Sequence, residues 1–130
     1  MSRVYVTTKD GRVVGYYGLA TSVIEHADAI KQVARGMPKH RIPALLITRL
    51  AVTSAEKRQG LGRGLLRDAM LRAITVADSV GVRALHVHAK TPEARRWYEG
   101  FGFRRSPVDE FHLQVTIKTL RASFAAAVAP

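Results

Sequence analysis

The residues with the best prospects for chemistry lie in the stretch 50–66, LAVTSAEKRQGLGRGLL. Leu50-Ala51-Val52 reads as the end of a buried strand. Arg58-Gln59-Gly60-Leu61-Gly62-Arg63-Gly64 is a basic, glycine-rich turn, and Leu65-Leu66 begins a long amphipathic stretch. A strand, a glycine turn and a helix N-terminus in that order make an anion site. Glycines let backbone N–H groups approach a ligand closely, and the unpaired N–H groups of a first helical turn favour phosphate oxygens. Lys57, Arg58 and Arg63 add positive charge at the rim. Two familiar phosphate loops do not fit. No Lys-Ser or Lys-Thr follows the glycines, as a P-loop needs, and Gly60-Leu61-Gly62-Arg63-Gly64-Leu65 is not Gly-x-Gly-x-x-Gly.

Tyr98 is the best acid in the chain for protonating a leaving group, because a phenol with an ordinary pKa of about 10 stays protonated at neutral pH. Its neighbours Trp97, Phe101 and Phe103 are equally consistent with a core tyrosine, and position alone favours that reading. His86 and His88 alternate onto one face of a strand. A metal site there would need a third ligand, with His112 the only other imidazole near in the scheme, and the expectation is no metal. Glu25, His26 and Asp28 are candidates for a base, though nothing in their spacing demands it. The pairs Arg95-Arg96 and Arg104-Arg105 suit either phosphate contacts or solvated surface.

These side chains must be carried by an α/β arrangement. Residues 3–8 alternate as a strand, Asp10-Gly11 is a two-residue hairpin signal, and residues 13–20 return as a second strand. Residues 23–35 can form a helix that ends at Gly36-Met37-Pro38. Residues 44–53 are almost wholly apolar and read as a central strand. Residues 63–80 have helical periodicity, with Gly81 as C-cap, and residues 84–89 form a short strand. Thr91-Pro92-Glu93 is a strong helix start. Residues 111–120 alternate as a final strand, and the alanine-rich residues 121–130 are expected to fray as a tail. The order β-β-α-β-α-β-α-β implies a mixed sheet in one domain over residues 1–120.

Composition sets the outer bounds. At 130 residues the chain suits one core. It has no cysteine, which excludes disulfides and thiolate metal sites. No apolar run is long enough for a membrane span and the N-terminus lacks a signal-peptide core, so cytoplasm is the expected location. A net charge of +11 favours a polyanionic partner or a phosphorylated cofactor, or marks a basic protein from an arginine-rich proteome.

The glycine turn resembles the pyrophosphate loop of the GNAT acetyltransferases, Gln/Arg-x-x-Gly-x-Gly/Ala. Aligned on Leu65-Leu66, the loop glycines are Gly60 and Gly62, with Lys57 in the Gln/Arg place; a second register would use Gln59, Gly62 and Gly64. Trp97-Tyr98-Glu99-Gly100-Phe101-Gly102-Phe103 is similar to the family's tyrosine helix. Gly15-Tyr16-Tyr17-Gly18, Met37-Pro38, Ile42-Pro43, Arg49-Leu50-Ala51-Val52, Val87-His88-Ala89 and Gly102-Phe103 fall at spacings that look like one subgroup, the bacterial toxins that acetylate aminoacyl-tRNA. The resemblance spans residues 4–120.

The resemblance implies a GNAT acyl-CoA N-acyltransferase fold with acetyl-CoA as co-substrate. It implies binding of the coenzyme by Leu50, Ala51, Val52, Lys57, Arg58, Gln59, Gly60, Leu61, Gly62 and Arg63, and Tyr98 as the acid toward the sulfur. One backbone N–H of the strand would polarise the acetyl carbonyl. It further implies an aminoacyl-tRNA substrate, a ribbon-helix-helix antitoxin and, as in many such toxins, a homodimer; the lack of a long apolar run separately sets the expectation of no membrane partner. The subgroup normally has a further strand and one or two helices before the hairpin. This chain begins at the hairpin, so the expected fold is one without that segment. Two other functions fit the same residues: acetylation of a protein N-terminus, lysine or small amine, and a silent protein that binds acetyl-CoA or the antitoxin without turnover.

Overall fold

The structure, a computed structural model, describes residues 2–54 and 60–128, with backbone only at 127 and 128. A six-stranded sheet forms the centre. Strands β1 (Ser2–Lys9) and β2 (Arg12–Ile24) make an antiparallel hairpin. Its two-residue connection needs left-handed backbone, and Asp10 (φ 53°) and Gly11 (φ 78°) supply it.

The helix expected over residues 23–35 does not form as one element. Val23 and Ile24 stay on β2, opposite Pro43 and Ile42 of β3 (Ile42–Val52). A 3₁₀ turn at His26–Asp28 and a single helical turn, α1 (Lys31–Ala34), follow. So short a helix is unstable alone. Distant side chains hold it. The Arg83 guanidinium donates to the carbonyls of Gln32, Val33 and Arg35 at 3.1, 3.2 and 2.9 Å. Buried Gln114 accepts from the Ile30 N–H at 2.9 Å and donates to the Asp28 carbonyl at 2.8 Å. Ile24, Ile30 and Val33 then close a small core on Ile42, Ala44 and Ala84.

Strand β3 pairs antiparallel with β2, but the register slips between Gly18 and Leu19 and leaves Thr48 as the extra residue of a bulge. Gly18 is needed there, because a Cβ would stand 2.2 Å from the Thr48 Oγ1. After β3 comes α2 (Leu61–Val80), preceded by Gly60; this helix returns the chain to β4 (Ala84–His88), parallel to β3. Helix α2 starts two residues before the expected position and buries Leu65, Leu66, Ala69, Met70, Ala73 and Ala77. Gly81 ends it in a left-handed cap, its N–H bonded to the Ala77 carbonyl. Helix α3 (Pro92–Glu99) is capped by Thr91, whose Oγ1 accepts from the Ala94 N–H at 3.0 Å.

Two features at the C-terminal end depart from the sequence reading. A two-residue strand, β5 (Arg104–Arg105), borders β6 (His112–Thr116). And β6 stops at Thr116, so that residues 117–120, expected as strand, begin α4 (Ile117–Val128). Thr116 Oγ1 accepts from the Thr119 N–H at 3.0 Å and turns the chain. Ile117, Leu120 and Phe124 repeat at helical spacing and join the main core, and Arg67 lies 5.1 Å from the Phe124 ring centre. Residues 121–128, read as a tail, continue this helix. The sheet order is β1-β2-β3-β4-β6-β5. The main core binds α2, α3 and α4 to one face, and α1 covers part of the other.

Candidate active site

The site begins where strand pairing stops. β3 and β4 pair only from Ala44 with Ala84 to Ile47 with Val87. Beyond that point β3 stays bonded to β2 through Val52, while its other edge has no partner strand among the described residues. The Thr53 N–H donates to the Val14 carbonyl at 2.9 Å, so Thr53 faces β2. Peptide groups alternate along an antiparallel strand. Those of Ala51 therefore face β2 as well, and those of Leu50 and Val52 face the opening. Leu50 and Val52 accordingly line the cleft that starts there, and Ala51 does not.

Helix α2 points its N-terminus at the same opening. Gly60 caps it with φ 76°, a left-handed conformation that suits glycine, and the first N–H to find a helical carbonyl is that of Gly64, 3.0 Å from the Gly60 oxygen. The N–H groups of Leu61, Gly62 and Arg63 precede it and carry the positive end of the helix dipole. Gly62 keeps the throat open, since a Cβ would meet Trp97 at 3.6 Å and Val52 at 3.7 Å. Gly64 has nothing within 4 Å and a helical backbone, so the structure makes no comparable demand on it. Lys57, Arg58 and Gln59 lie outside the described residues.

The far wall is α3. The cleft, about 880 Å³, is lined there by Thr91, Glu93, Ala94, Arg96, Trp97 and Tyr98. Trp97 stands edge-on to Tyr98 and to Phe101, with ring centres 5.0 Å apart in each case, and Phe103 closes behind Tyr98 at 5.5 Å. Tyr98 is therefore both a core residue and a cleft residue, and the two readings of its position are compatible. Burial pushes its phenol up to about 12. Arg63, 5.9 Å from the Phe101 ring centre, and exposed Arg96 put positive charge at the mouth.

The other sequence candidates lie elsewhere. Glu25 is paired with Arg41 at 3.2 Å and does not reach the cleft, nor do His26 and Asp28. Arg95 is held by Glu110 at 2.9 Å and Arg105, though exposed, by Glu99 at 2.9 Å; Arg96 and Arg104 are exposed as well. Arg105 in turn keeps Glu99 below the usual carboxylate range. His86, His88 and His112 do come together, because His88 of β4 lies directly opposite His112 of β6. Burial, then the neighbouring His112 and His88, push His86 down to about 3. Trp97 is the wall residue that sequence reasoning assigned to the core alone. Its orientation toward Gly62 depends on how α3 packs, which residue spacing does not encode.

Comparison with known proteins agrees with this geometry. The profile of the family described as "Acetyltransferase (GNAT) domain" matches residues 1–105. A "tRNA-acetylating toxin" of Mycobacterium tuberculosis is 50% identical over 121 residues, covering 93% of this chain and 72% of that protein. The toxin AtaT, solved in complex with acetyl-methionyl-tRNAfMet, superposes with a TM-score of 0.84 at 28% identity, covering 95% of this chain and 75% of that one. A tyrosine-to-phenylalanine mutant of AtaT, bound to the C-terminus of the antitoxin AtaR and acetyl-CoA, gives 0.78 at 26% identity, with 95% and 72% covered. A strand that splays from its neighbour beside a glycine-capped helix N-terminus thus occurs here in a chain that belongs to the GNAT acetyltransferase family.

Proposed function

We propose that this protein transfers the acetyl group of acetyl-CoA to the α-amino group of an aminoacyl-tRNA and so acts as a toxin that blocks translation. The observation that carries the acyl-transfer half is the meeting of three things at one cleft: the free edge of β3, the N-terminus of α2 and the Tyr98 phenol. The tRNA half is supported by the 50% identity to a tRNA-acetylating toxin and by the likeness to AtaT. The net charge of +11 suits a substrate held through phosphates.

In this reading the pyrophosphate of the coenzyme lies on the N–H groups of Leu61, Gly62 and Arg63, with Lys57, Arg58 and Gln59 completing the loop. The pantetheine arm adds to the free edge of β3 as a strand would, along Leu50 and Val52. A backbone N–H of that edge stabilises the oxyanion as the carbonyl is attacked. The amine of an aminoacyl ester is largely neutral near physiological pH, so it attacks directly. The C–N bond forms, the C–S bond breaks, the amine loses a proton to solvent, and Tyr98 donates its proton to the departing sulfur. A thiol has an ordinary pKa of about 8.5, well below that of the buried phenol. The cleft that raises one raises the other, because both anions are penalised by the same desolvation. No step assigned here passes through a metal.

A ribbon-helix-helix antitoxin is the protein partner we infer, in keeping with the AtaT–AtaR structure, along with a homodimer and a cytoplasmic location. No helix among the described residues is long and apolar enough to cross a membrane. The test is transfer of radiolabelled acetyl from acetyl-CoA to total charged tRNA, with deacylated tRNA and N-terminal or lysine peptides as competing acceptors. Label in the charged sample alone, lost in Tyr98→Phe, is expected. A protein that binds acetyl-CoA yet labels only peptides, or nothing, overturns the reading.

A further inference from the structure

The proposed reaction leaves the three histidines on the α1 face of the sheet without a task. Alternation puts His86 and His88 on the same side of β4 as Ala84, which packs under α1, while Leu85 and Val87 enter the main core. His112 joins them across the β4–β6 ladder. His86 Nδ1 is 2.8 Å from His112 Nε2. The His88 ring stacks on that of His112, with centres 4.4 Å apart and planes at 24°. One ligand nitrogen from each residue falls within 4.8 Å of the other two. His86 and His112 are 2% and 6% exposed, and His88 is open to solvent.

We propose that His86, His88 and His112 form a binding site for one divalent transition-metal ion of the zinc class, tying β4 to β6. Zinc–imidazole bonds of about 2.0–2.1 Å in tetrahedral array place the ligand nitrogens roughly 3.3 Å apart. The His86–His112 pair opens by about half an ångström to accept the ion, and exposed His88 swings in by side-chain rotation. The buried ligands are already braced. Ser22 Oγ is 3.2 Å from His86 Nε2, the nitrogen turned away from the pair, which is how a metal-bound imidazole is commonly oriented. The carboxylates of Asp28 and Asp109 act on His112 and would offset part of the ion's charge. All three donors are imidazole, which selects zinc, copper, nickel or cobalt over magnesium and calcium. His88 faces solvent, so the fourth position opens outward, at the strand end from which Ala89 and Lys90 lead into α3. A neutral hydrogen-bonded histidine cluster is the alternative the experiment must exclude.

The test uses the full chain without a tag, treated with chelator, then titrated with zinc(II) against a competing indicator and with cobalt(II) followed by visible absorption. The expected result is one equivalent of zinc at micromolar free metal, a rise in melting temperature, and cobalt bands of a low-coordinate nitrogen site. His88→Ala, an exposed position that leaves the fold intact, should weaken zinc binding at least about 10-fold. The double variant His26→Ala/His40→Ala, which removes the two other histidines, should bind as the parent does. No binding at micromolar zinc, or binding that His88→Ala leaves unchanged, overturns the proposal. His86→Ala is not the primary variant because its ring is buried and its loss could unfold the chain.

Discussion

Gly62→Ala should separate folding from coenzyme binding, because the structure assigns the two effects opposite signs. The added methyl would stand 3.6 Å from Trp97 Cζ2 and 3.7 Å from Val52 Cγ2, ordinary contact distances that require no displacement. Gly62 lies in the first turn of α2 with no left-handed backbone to satisfy. Alanine in place of glycine in a helix is worth up to about 1 kcal/mol, and less in a first turn, so stability should hold or rise slightly. The same methyl fills the throat between Val52 and Trp97 and stands over N–H groups that must approach the pyrophosphate. Forcing one extra carbon into an occupied site costs about 1–3 kcal/mol. That is a loss of roughly 5- to 150-fold in affinity for coenzyme A. Calorimetric titration with coenzyme A and a urea melt on the same preparation measure both quantities. If affinity is unchanged, the pyrophosphate does not sit at this helix end. If stability falls along with affinity, the loss is structural and the argument from the open throat fails.

The other predictions concern Tyr98, Gly60 and Gly18. Tyr98→Phe should lower kcat about 10²- to 10⁴-fold with coenzyme A affinity kept. The acid works in its protonated form, present below its pKa and lost above it. With that pKa at about 12, parent activity should show no alkaline fall up to about pH 10; a fall there that Tyr98→Phe abolishes would contradict the burial argument. Gly60→Ala meets nothing within 4 Å but must hold φ 76°. It should cost about 1–2 kcal/mol in a urea melt, whereas Gly64→Ala should cost nothing; equal effects would mean that the left-handed cap is not the reason for Gly60. Gly18→Ala puts a Cβ 2.2 Å from Thr48 Oγ1 and should destabilise by about 1–3 kcal/mol. Adding Thr48→Ala removes the obstructing oxygen and should restore most of that loss, and failure to do so would place the strain in the bulge backbone instead.

Parts of the fold with local causes are legible in the chain. Asp10-Gly11, Thr91-Pro92 and Gly81 each impose a backbone conformation through their own chemistry, and each stands where that chemistry puts it. The errors fall where long-range contacts decide. Residues 23–35 carry helical spacing, yet Val23 and Ile24 find cross-strand partners on β3, and the remainder is held by Arg83 and Gln114, each dozens of residues away. Residues 117–120 continue the alternation of β6 and equally begin the 117, 120, 124 repeat of α4. Both periods are present in the letters, and the Thr116 cap with a docking surface on α2 selects the helix.

The candidate site divides along the same line. Gly60 and Gly62 stand out in the sequence because glycines between a strand and a helix mark backbone exposed to a ligand. The opening beside them does not stand out. It exists because the parallel register of β3 and β4 ends at Ile47 and Val87, and no residue there announces that end. Ala51 shows the consequence: the family resemblance groups it with Leu50 and Val52, whereas the Thr53 bond to Val14 turns its peptide groups toward β2. His112 shows the converse. Alternation already aligned His86 with His88, but only the β4–β6 register could bring the third imidazole opposite them. In this chain residue type nominates a group for chemistry, and strand register decides whether it has the neighbours to perform it.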